Sequence, residues 1–453
     1  MRALHLDNVF TVPFLDGYLL YFPRKGLVLG VDKTVHDLII TLKAGRSVQP
    51  SNFTNKWFNA LFILGNEDDK VLVRPLNPFK PTHVTLSLTK SCSLRCIYCY
   101  ARAGEVNQDI DPKVAHAALR FAADNALEIG ATEFRVAFHG EGEPTHSWSL
   151  FKESILYAED LAKERRIGVE FSMSTNAIWG REQRQFIAKY FRHVSVSLDG
   201  LPEIQNLQRP MANGKGSFDI VLSSLRAMDE AGVAYGVRST VLPEGVEKMH
   251  PFLEFLAGET HADTLTLEPV FQSGRGVSLE IDKEKFYRHF TEAYRAVQRR
   301  GAELGVDVTY SGCRPTVTAG RFCQAIGPDL NCVVMTNGLV SSCYEINDPD
   351  SAKGSMVIYG KFDPASDRFI FDEEKLNRLR EHGVWNMPGC RDCFAKWNCG
   401  GDCLARCDLT LAALDSDEDR SGSPRCELNR SLTAEALVMY GMAADVLDGG
   451  QPF

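Results

Sequence analysis

Between residues 82 and 275, short apolar runs recur at regular intervals, each followed by a stretch with helical spacing. The runs near 83–89, 133–139, 169–175, 193–198, 235–241 and 264–270 predict strands. Between them, Lys113–Leu127, Trp148–Arg165, Arg181–Tyr190 and Phe218–Ala231 predict helices. Repeated βα units imply a parallel sheet and an α/β fold. Lys283–Leu304 continues as a polar helical bridge, giving a segment at 276–310, and Asn429–Leu447 reads as a closing helix, with 431–453 as the C-terminal piece.

Residues 1–80 have a different pattern. Tyr18–Phe22 and Leu27–Val31 predict two strands of a hairpin around Pro23–Gly26. Asp32 can cap a helix over Lys33–Lys43, whose apolar residues are Val35, Leu38, Ile39 and Leu42, and Gly45 ends it. A second helical stretch covers 51–64, Val71–Val73 is a further short strand, and Pro75, Pro78 and Pro81 mark a linker.

The composition narrows the class. Hydrophobic residues make up 44% and charged residues 24% of 453, enough apolar material for a full core and, by length, about three domains. A net charge of −9 argues against non-specific nucleic-acid binding, which needs a basic surface. Met1–Pro13 lacks the basic start and apolar run of a signal peptide, and no apolar stretch approaches the roughly 18 residues of a membrane span. These features predict a cytoplasmic chain in a reducing compartment, where 13 cysteines suggest metal ligation before disulfides. Three of them lie at 92–99 and the other ten at 313–426, which implies separate metal-bearing regions.

The first group, Cys92-Ser-Leu-Arg-Cys96-Ile-Tyr-Cys99, follows the strand at 83–89 directly. Three thiolates can hold three irons of a [4Fe–4S] cube and leave the fourth open. A structural zinc site is the alternative, but zinc favours four closed ligands. CxxxCxxC with Tyr98 in the last gap resembles the radical S-adenosylmethionine (SAM) enzymes. The resemblance implies a partial (β/α)₆ TIM-like barrel, with chemistry at the strand C-terminal ends. It makes Cys92, Cys96 and Cys99 the ligands of a SAM-binding cluster and places Tyr98 near the adenine.

Other strand ends carry the same resemblance. Gly140-Glu-Gly142-Glu143-Pro144 is similar to the family's GGEP motif, with Glu141 in place of a glycine and Glu143 implied as partner of the SAM ammonium. Ser174-Thr-Asn176 and Ser197-Leu-Asp199-Gly200 match the TNG and SxDG positions, with Ala177 replacing a glycine; their polar groups are implied for the SAM ribose and carboxylate. Arg238 is implied for the SAM carboxylate, with a salt bridge between strands as the alternative, and Val270 borders the adenine.

In the C-terminal region, Cys323, Gly338 and Cys343, then Cys390-x2-Cys393-x5-Cys399-x3-Cys403 and Cys426, match the order of the SPASM domain, the auxiliary-cluster module of peptide-modifying radical SAM enzymes. By that pattern one auxiliary cluster uses Cys313, Cys323, Cys343 and Cys403, and the other Cys390, Cys393, Cys399 and Cys426. A zinc ribbon is the alternative for Cys390–Cys403. Cys332 and Cys407 are left over and read as ordinary thiols.

The resemblance implies domains at 82–275 (barrel) and 311–430 (SPASM), and a winged-helix-like peptide-recognition domain at 1–80, for which a structural extension is the alternative. It implies three [4Fe–4S] clusters, SAM, a ribosomally made precursor peptide, and a flavodoxin or ferredoxin donor, with no nucleic acid or membrane partner. The expected reaction is an oxidative side-chain crosslink (C–C, C–O or thioether) on that peptide. The alternative activity is formylglycine formation by an anaerobic sulfatase-maturating enzyme. Those enzymes place an aspartate base directly after the cysteine equivalent to Cys343; here Tyr344 and Glu345 follow, and they are the candidate catalytic residues. A non-catalytic Fe–S or zinc peptide-binding protein is the alternative of another class.

Overall fold

The structure, a computed structural model, describes residues 6–65, 77–314, 317–406 and 423–447. The expected strand at Val71–Val73, Pro75 and Cys407 lie outside these residues. The described strands fall into two sheets. The first is an antiparallel meander of β1 (Phe10–Phe14), β2 (Gly17–Phe22) and β3 (Leu27–Val31). The turn between β2 and β3 is one 3₁₀ turn, Pro23–Lys25, closed by Gly26 in the left-handed region at φ 61°. Asp32 then caps the helix Lys33–Lys43 through its carboxylate, which accepts from the Val35 N–H at 3.0 Å.

Period-two alternation along β2 gives this small sheet two buried faces. Leu20 and Phe22 pack with Val35, Ile39 and Leu61 of the following helices. Leu19 and Tyr21 turn the other way, with Phe10 and Val12 of β1, onto Val384, Trp397 and Leu437 of the C-terminal region. Two hydrogen bonds fix that contact: Tyr21 Oη donates to Asn398 Oδ1 at 2.9 Å, and Trp397 Nε1 donates to Asn8 Oδ1 at 2.7 Å.

The second sheet has eleven strands. In chain order they are β4 (His83–Leu86), β5 (Glu133–Phe138), β6 (Gly168–Thr175), β7 (His193–Ser197), β8 (Ala234–Val241), β9 (Thr264–Pro269), β10 (Asp307–Thr309), β11 (Val333–Val334), β12 (Leu339–Ser341), β13 (Ile358–Asp363) and β14 (Arg368–Phe371). From β4 to β10 the spatial order follows the chain and every pairing is parallel. The sheet is not closed on itself, as expected of a partial barrel. On the other side of β4, β11 adds a parallel strand, and β11 to β14 run on as an antiparallel meander.

The helix Lys283–Leu304, read from sequence as a bridge, is the crossover of a further βα unit. It leads to β10, which pairs with β9 through Asp307↔Thr264 to Thr309↔Thr266. Its buried positions Phe286, Phe290, Tyr294 and Val297 form one stripe against the sheet. Because the strands are parallel, Leu86, Phe138, Thr175, Ser197, Val241 and Pro269 all end at one edge, and the loops leaving that edge carry the candidate chemistry.

Candidate active site

The loop after β4 is braced on two sides. Its backbone donates from Arg95 N–H to Pro210 O at 2.8 Å and from Ile97 N–H to Gln208 O at 3.0 Å. On the other side Arg275 donates from Nε to Cys96 O and from its backbone N–H to Cys99 O, at 2.8 and 3.0 Å. Gly274 permits this approach: a Cβ there would lie 2.2 Å from Cys99 O. Within the loop, Arg95 Nη1 donates to Cys92 O and Leu94 O, both at 2.8 Å. A loop free of regular structure is thereby held in one shape around its three thiols.

Those thiols are mutual electrostatic neighbours. Burial pushes the Cys92 thiol up to about 12, with Glu143 and the sulfurs of Cys96 and Cys99 adding to it. Burial likewise raises Cys96 to about 11, against the pull of Arg209. Thiols in such surroundings stay protonated until a metal displaces the proton. Among the described residues no three His, Cys, Asp or Glu side chains gather as they would around a single metal ion. A [4Fe–4S] cube asks for something else, one soft thiolate per iron at separate corners, and an all-sulfur set on a buried loop fits that demand.

Beside Cys96 and Cys99 opens a cavity of about 230 Å³ at the strand ends. Of the residues expected to bind SAM, Tyr98, Ser174, Ser197, Arg238 and Val270 line it. Tyr344 and Glu345 line it too, so the two candidate catalytic residues share the cavity with the cysteine loop.

The other expected residues stand behind this lining. Glu143 accepts from Thr145 Oγ1 and Thr175 Oγ1 at 2.7 Å, Asn176 N–H at 2.8 Å and Thr145 N–H at 3.3 Å. Its carboxylate joins the loop after β5 to the end of β6. Asn176 Nδ2 points back to Ser93 Oγ at 3.3 Å and lies 3.6 Å from Cys92 Sγ. Asp199 accepts from Tyr98 Oη, Gln208 Nε2 and Thr240 N–H and pairs with Arg209 at 3.0 Å, so it orients Tyr98 and Arg209 from behind. Gly140 and Gly142 allow close packing of the loop after β5: a Cβ at 142 would lie 2.5 Å from both Ser91 O and Thr89 O. Pro144 opens the 3₁₀ turn that follows.

Several cavity residues carried no sequence role. Arg209 places its guanidinium 5.3 Å from the Tyr98 ring and Nη1 3.9 Å from Cys96 Sγ. His139 lines the cavity with its ring edge-on to Tyr344 at 4.2 Å; burial lowers its pKa to about 4, leaving the imidazole neutral. Glu268 and Arg406 form a charged wall. Arg406 Nη1 donates to Glu268 Oε2 at 2.8 Å, while Nη2 and Nε grip both oxygens of Glu345 at 2.7 and 3.2 Å. Burial works to raise the Glu268 carboxyl, but Arg238, Arg406 and Arg425 outweigh it and hold it at about 2. Glu345 is held below its ordinary range in the same way, Arg406 overcoming burial. Glu141, the departure from the expected glycine, also has an internal use: its carboxylate accepts from Thr336 N–H at 2.9 Å and pairs with Lys90 at 3.4 Å. The signal for these roles was the presence of buried charges at strand ends, which a motif reading passes over.

The C-terminal cysteines form two groups. Cys403 is pushed up by burial and then by Glu345, with Cys323 and Cys343 as thiol neighbours. Cys399 is pushed up by burial and Asp402, with Cys390, Cys393 and Cys426 around it. Cys313, expected with the first group, accepts from Thr433 Oγ1 at 3.6 Å; burial raises its thiol to about 11, with Thr433 opposing the rise and Glu435 adding to it. Cys332 is buried beside Tyr359 in the core, as an ordinary thiol would be.

Residues 86–256 match the family described as the radical SAM superfamily. That stretch is a radical SAM domain. Its neighbours agree in fold: a solved structure, native anSMEcpe with bound AdoMet, superposes with a TM-score of 0.59 at 16% identity, covering 81% of this chain and 98% of that one. Among curated proteins, the mycofactocin maturase MftC of Mycolicibacterium smegmatis is 26% identical over 362 residues, 77% of this chain and 86% of its own. Over shorter stretches the chain is 29% identical to the uncharacterized protein MJ0907 of Methanocaldococcus jannaschii and 27% identical to the cysteine-type anaerobic sulfatase-maturating enzyme of Clostridium novyi. These matches take in 38% and 37% of this chain, and 58% and 46% of the respective relatives. Enzymes of the radical SAM superfamily use a [4Fe–4S] cluster and SAM.

Proposed function

We propose that this radical SAM enzyme oxidatively modifies a ribosomally made precursor peptide and forms a side-chain crosslink. The observation that carries the reading is the shared cavity, which Cys96 and Cys99 line together with Tyr344 and Glu345, with Glu345 beside the Cys403 thiol. Similarity to a mycofactocin maturase over 77% of the chain supports a peptide as substrate.

Cys92, Cys96 and Cys99 would hold the SAM-binding cluster, which with SAM supplies a 5′-deoxyadenosyl radical able to take a hydrogen atom from the substrate. Ser174 and Ser197 offer hydroxyls to the cavity. Arg238 lies 3.7 Å from Glu268, a looser pairing than that of Arg209 or Arg406, and is the cation best placed for a carboxylate of SAM. The substrate loses one hydrogen as an atom and a second as a proton plus an electron, and the electron passes to the auxiliary cysteine sites. The two cysteine groups would hold one cluster each, three in all, with a flavodoxin or ferredoxin as external donor. The N-terminal sheet rests on the segment containing Trp397, Asn398 and Cys399, a suitable place to present a leader peptide along a sheet edge. No described helix is long and apolar enough to cross a membrane, and we assign the chain to the cytoplasm.

The match to a sulfatase-maturating enzyme favours a second reading, formylglycine formation. Glu345, two residues after Cys343, is gripped by Arg406 and held ionised, which makes it a weak base for that reaction.

Anaerobic co-expression with each short open reading frame beside the gene, followed by peptide mass spectrometry, tests the proposal. A loss of two hydrogens per event, absent in Cys92→Ala, is the expected result. Failure of every candidate, with conversion of a sulfatase peptide, would replace it with the second reading. If SAM yields no 5′-deoxyadenosine under either condition, the non-catalytic peptide-binding alternative stands.

A further inference from the structure

Part of the cavity's lining is built from charges that are almost entirely buried. The Arg406 side chain is 12% exposed, Glu268 3% and Glu345 14%. Each belongs to a different part of the molecule. Glu268 is on β9 of the barrel, Glu345 follows Cys343 by two residues, and Arg406 follows Cys403 by three. Arg406 also donates its backbone N–H to Cys403 O at 3.1 Å. One guanidinium therefore spans the barrel and two cysteines of the same group. Only arginine can do this, because its planar fork supplies the parallel donors that grip Glu345 and a further donor for Glu268.

Such an arrangement is costly to assemble and loses most if its cation is removed, since two buried carboxylates would then face each other without compensation. Arg238 stands 3.7 Å from Glu268, and Arg425, paired with Asp402 at 2.7 Å, is the next cation behind it. Among the described residues, Arg406 is the cation whose side chain bonds to both carboxylates.

We propose that Arg406 is a positioning residue that ties the auxiliary cysteine site to the SAM cavity, its charge setting the reduction potential of the cluster held by Cys323, Cys343 and Cys403. The inference rests on the reading of those cysteines as cluster ligands. Reduction adds a negative charge to a buried cluster. A fixed cation beside it stabilises the reduced form, and a fixed carboxylate opposes it. Arg406 and Glu345 lie beside the Cys403 thiol, the first favouring the reduced form and the second opposing it, and Glu268 joins them through Arg406, so the members of the bridge have opposite effects.

The test uses the full chain, reconstituted anaerobically with iron and sulfide, without SAM or peptide. Iron content and EPR-monitored redox titration are measured for wild type, Arg406→Gln, Arg406→Lys and Glu268→Gln. Arg406→Gln is expected to lower the potential of one auxiliary signal, Glu268→Gln to raise it, and Arg406→Lys to fall between wild type and Arg406→Gln. Cys323→Ala identifies the signal by removing it. Potentials unchanged in both charge variants overturn the proposal, as does a shift of the same sign in both, which would mark a general loosening. If Arg406→Gln fails to retain iron, Glu268→Gln and Arg406→Lys carry the comparison with the same expected signs. A wild-type chain holding only the Cys92–Cys99 cluster would instead sink the auxiliary-cluster reading, and iron content separates that outcome from the others.

Discussion

Gly142 shows how little room separates the loop after β5 from the start of the cysteine loop. An added methyl group would meet two backbone carbonyl oxygens, those of Ser91 and Thr89, which cannot rotate away as a side-chain end could. Gly142→Ala is therefore expected to destabilise the chain by about 1–3 kcal/mol and to lower iron retention by the Cys92–Cys99 loop. Thermal unfolding and an iron assay on the same preparation check both. Glu268 supplies a pH-dependent prediction. Its folded pKa, about 2, lies below the ordinary carboxylate value, so its contribution is present above pH 4.5 and is lost as pH falls through 4.5 towards 2. Glu268→Gln removes that contribution, on the order of 3 kcal/mol, so the wild type should lose more stability than the variant across this window. Urea unfolding of the apo chain at a series of pH values measures it, and parallel curves would show the carboxylate to be uncoupled from folding.

At the scale of elements, the strands and crossovers of the barrel were readable because period and punctuation agree there. Trp148–Arg165, Arg181–Tyr190 and Phe218–Ala231 stand where helical spacing placed them, and the six strands shift by only a few residues. The strand expected at 83–89 ends at Leu86, although Ser87 N–H still bonds to Val334 O and Thr89 forms a single bridge to Asp109. The short strands β10 to β14 were not legible, because two to six residues carry too little pattern. Lys283–Leu304 reads as a polar bridge because charged residues dominate its composition, while its buried positions recur at helical spacing as one stripe. Phe290→Ala should cost about 3–5 kcal/mol if that stripe is core, and a near-neutral thermal shift would return the helix to the status of a connector. In the site, residues named by motif were found near the cavity, but which ones face it depended on backbone turns that spacing cannot reveal. Glu143 and Asp199 carry the same charge as Glu268, yet their carboxylates are taken up by neighbouring backbone and side-chain donors while Glu268 lines the cavity.

For the whole molecule, cysteine placement makes the clearest division. Cys332→Ala should leave iron content unchanged, because that thiol packs beside Tyr359, whereas Cys399→Ala should remove one cluster's worth of iron. Iron analysis of the two variants decides it, and equal losses would mean that the buried thiol is a ligand after all. The N-terminal sheet depends on the same region. Tyr21→Phe gives up the hydrogen bond to Asn398 and should cost about 1 kcal/mol, with faster amide exchange along β1 and β2 as the readout.

The parallel pairing of β11 with β4 has a consequence in time. Thr85 N–H bonds to Cys332 O and Ser87 N–H to Val334 O, at 2.8 and 2.9 Å, so the strand that precedes the cysteine loop waits for a partner made some 250 residues later. On the ribosome that edge of the barrel stays open through most of synthesis, and non-local pairing of this kind closes slowly. The strand from which the first three cysteines leave therefore gains its last neighbour only after most of the barrel has been made.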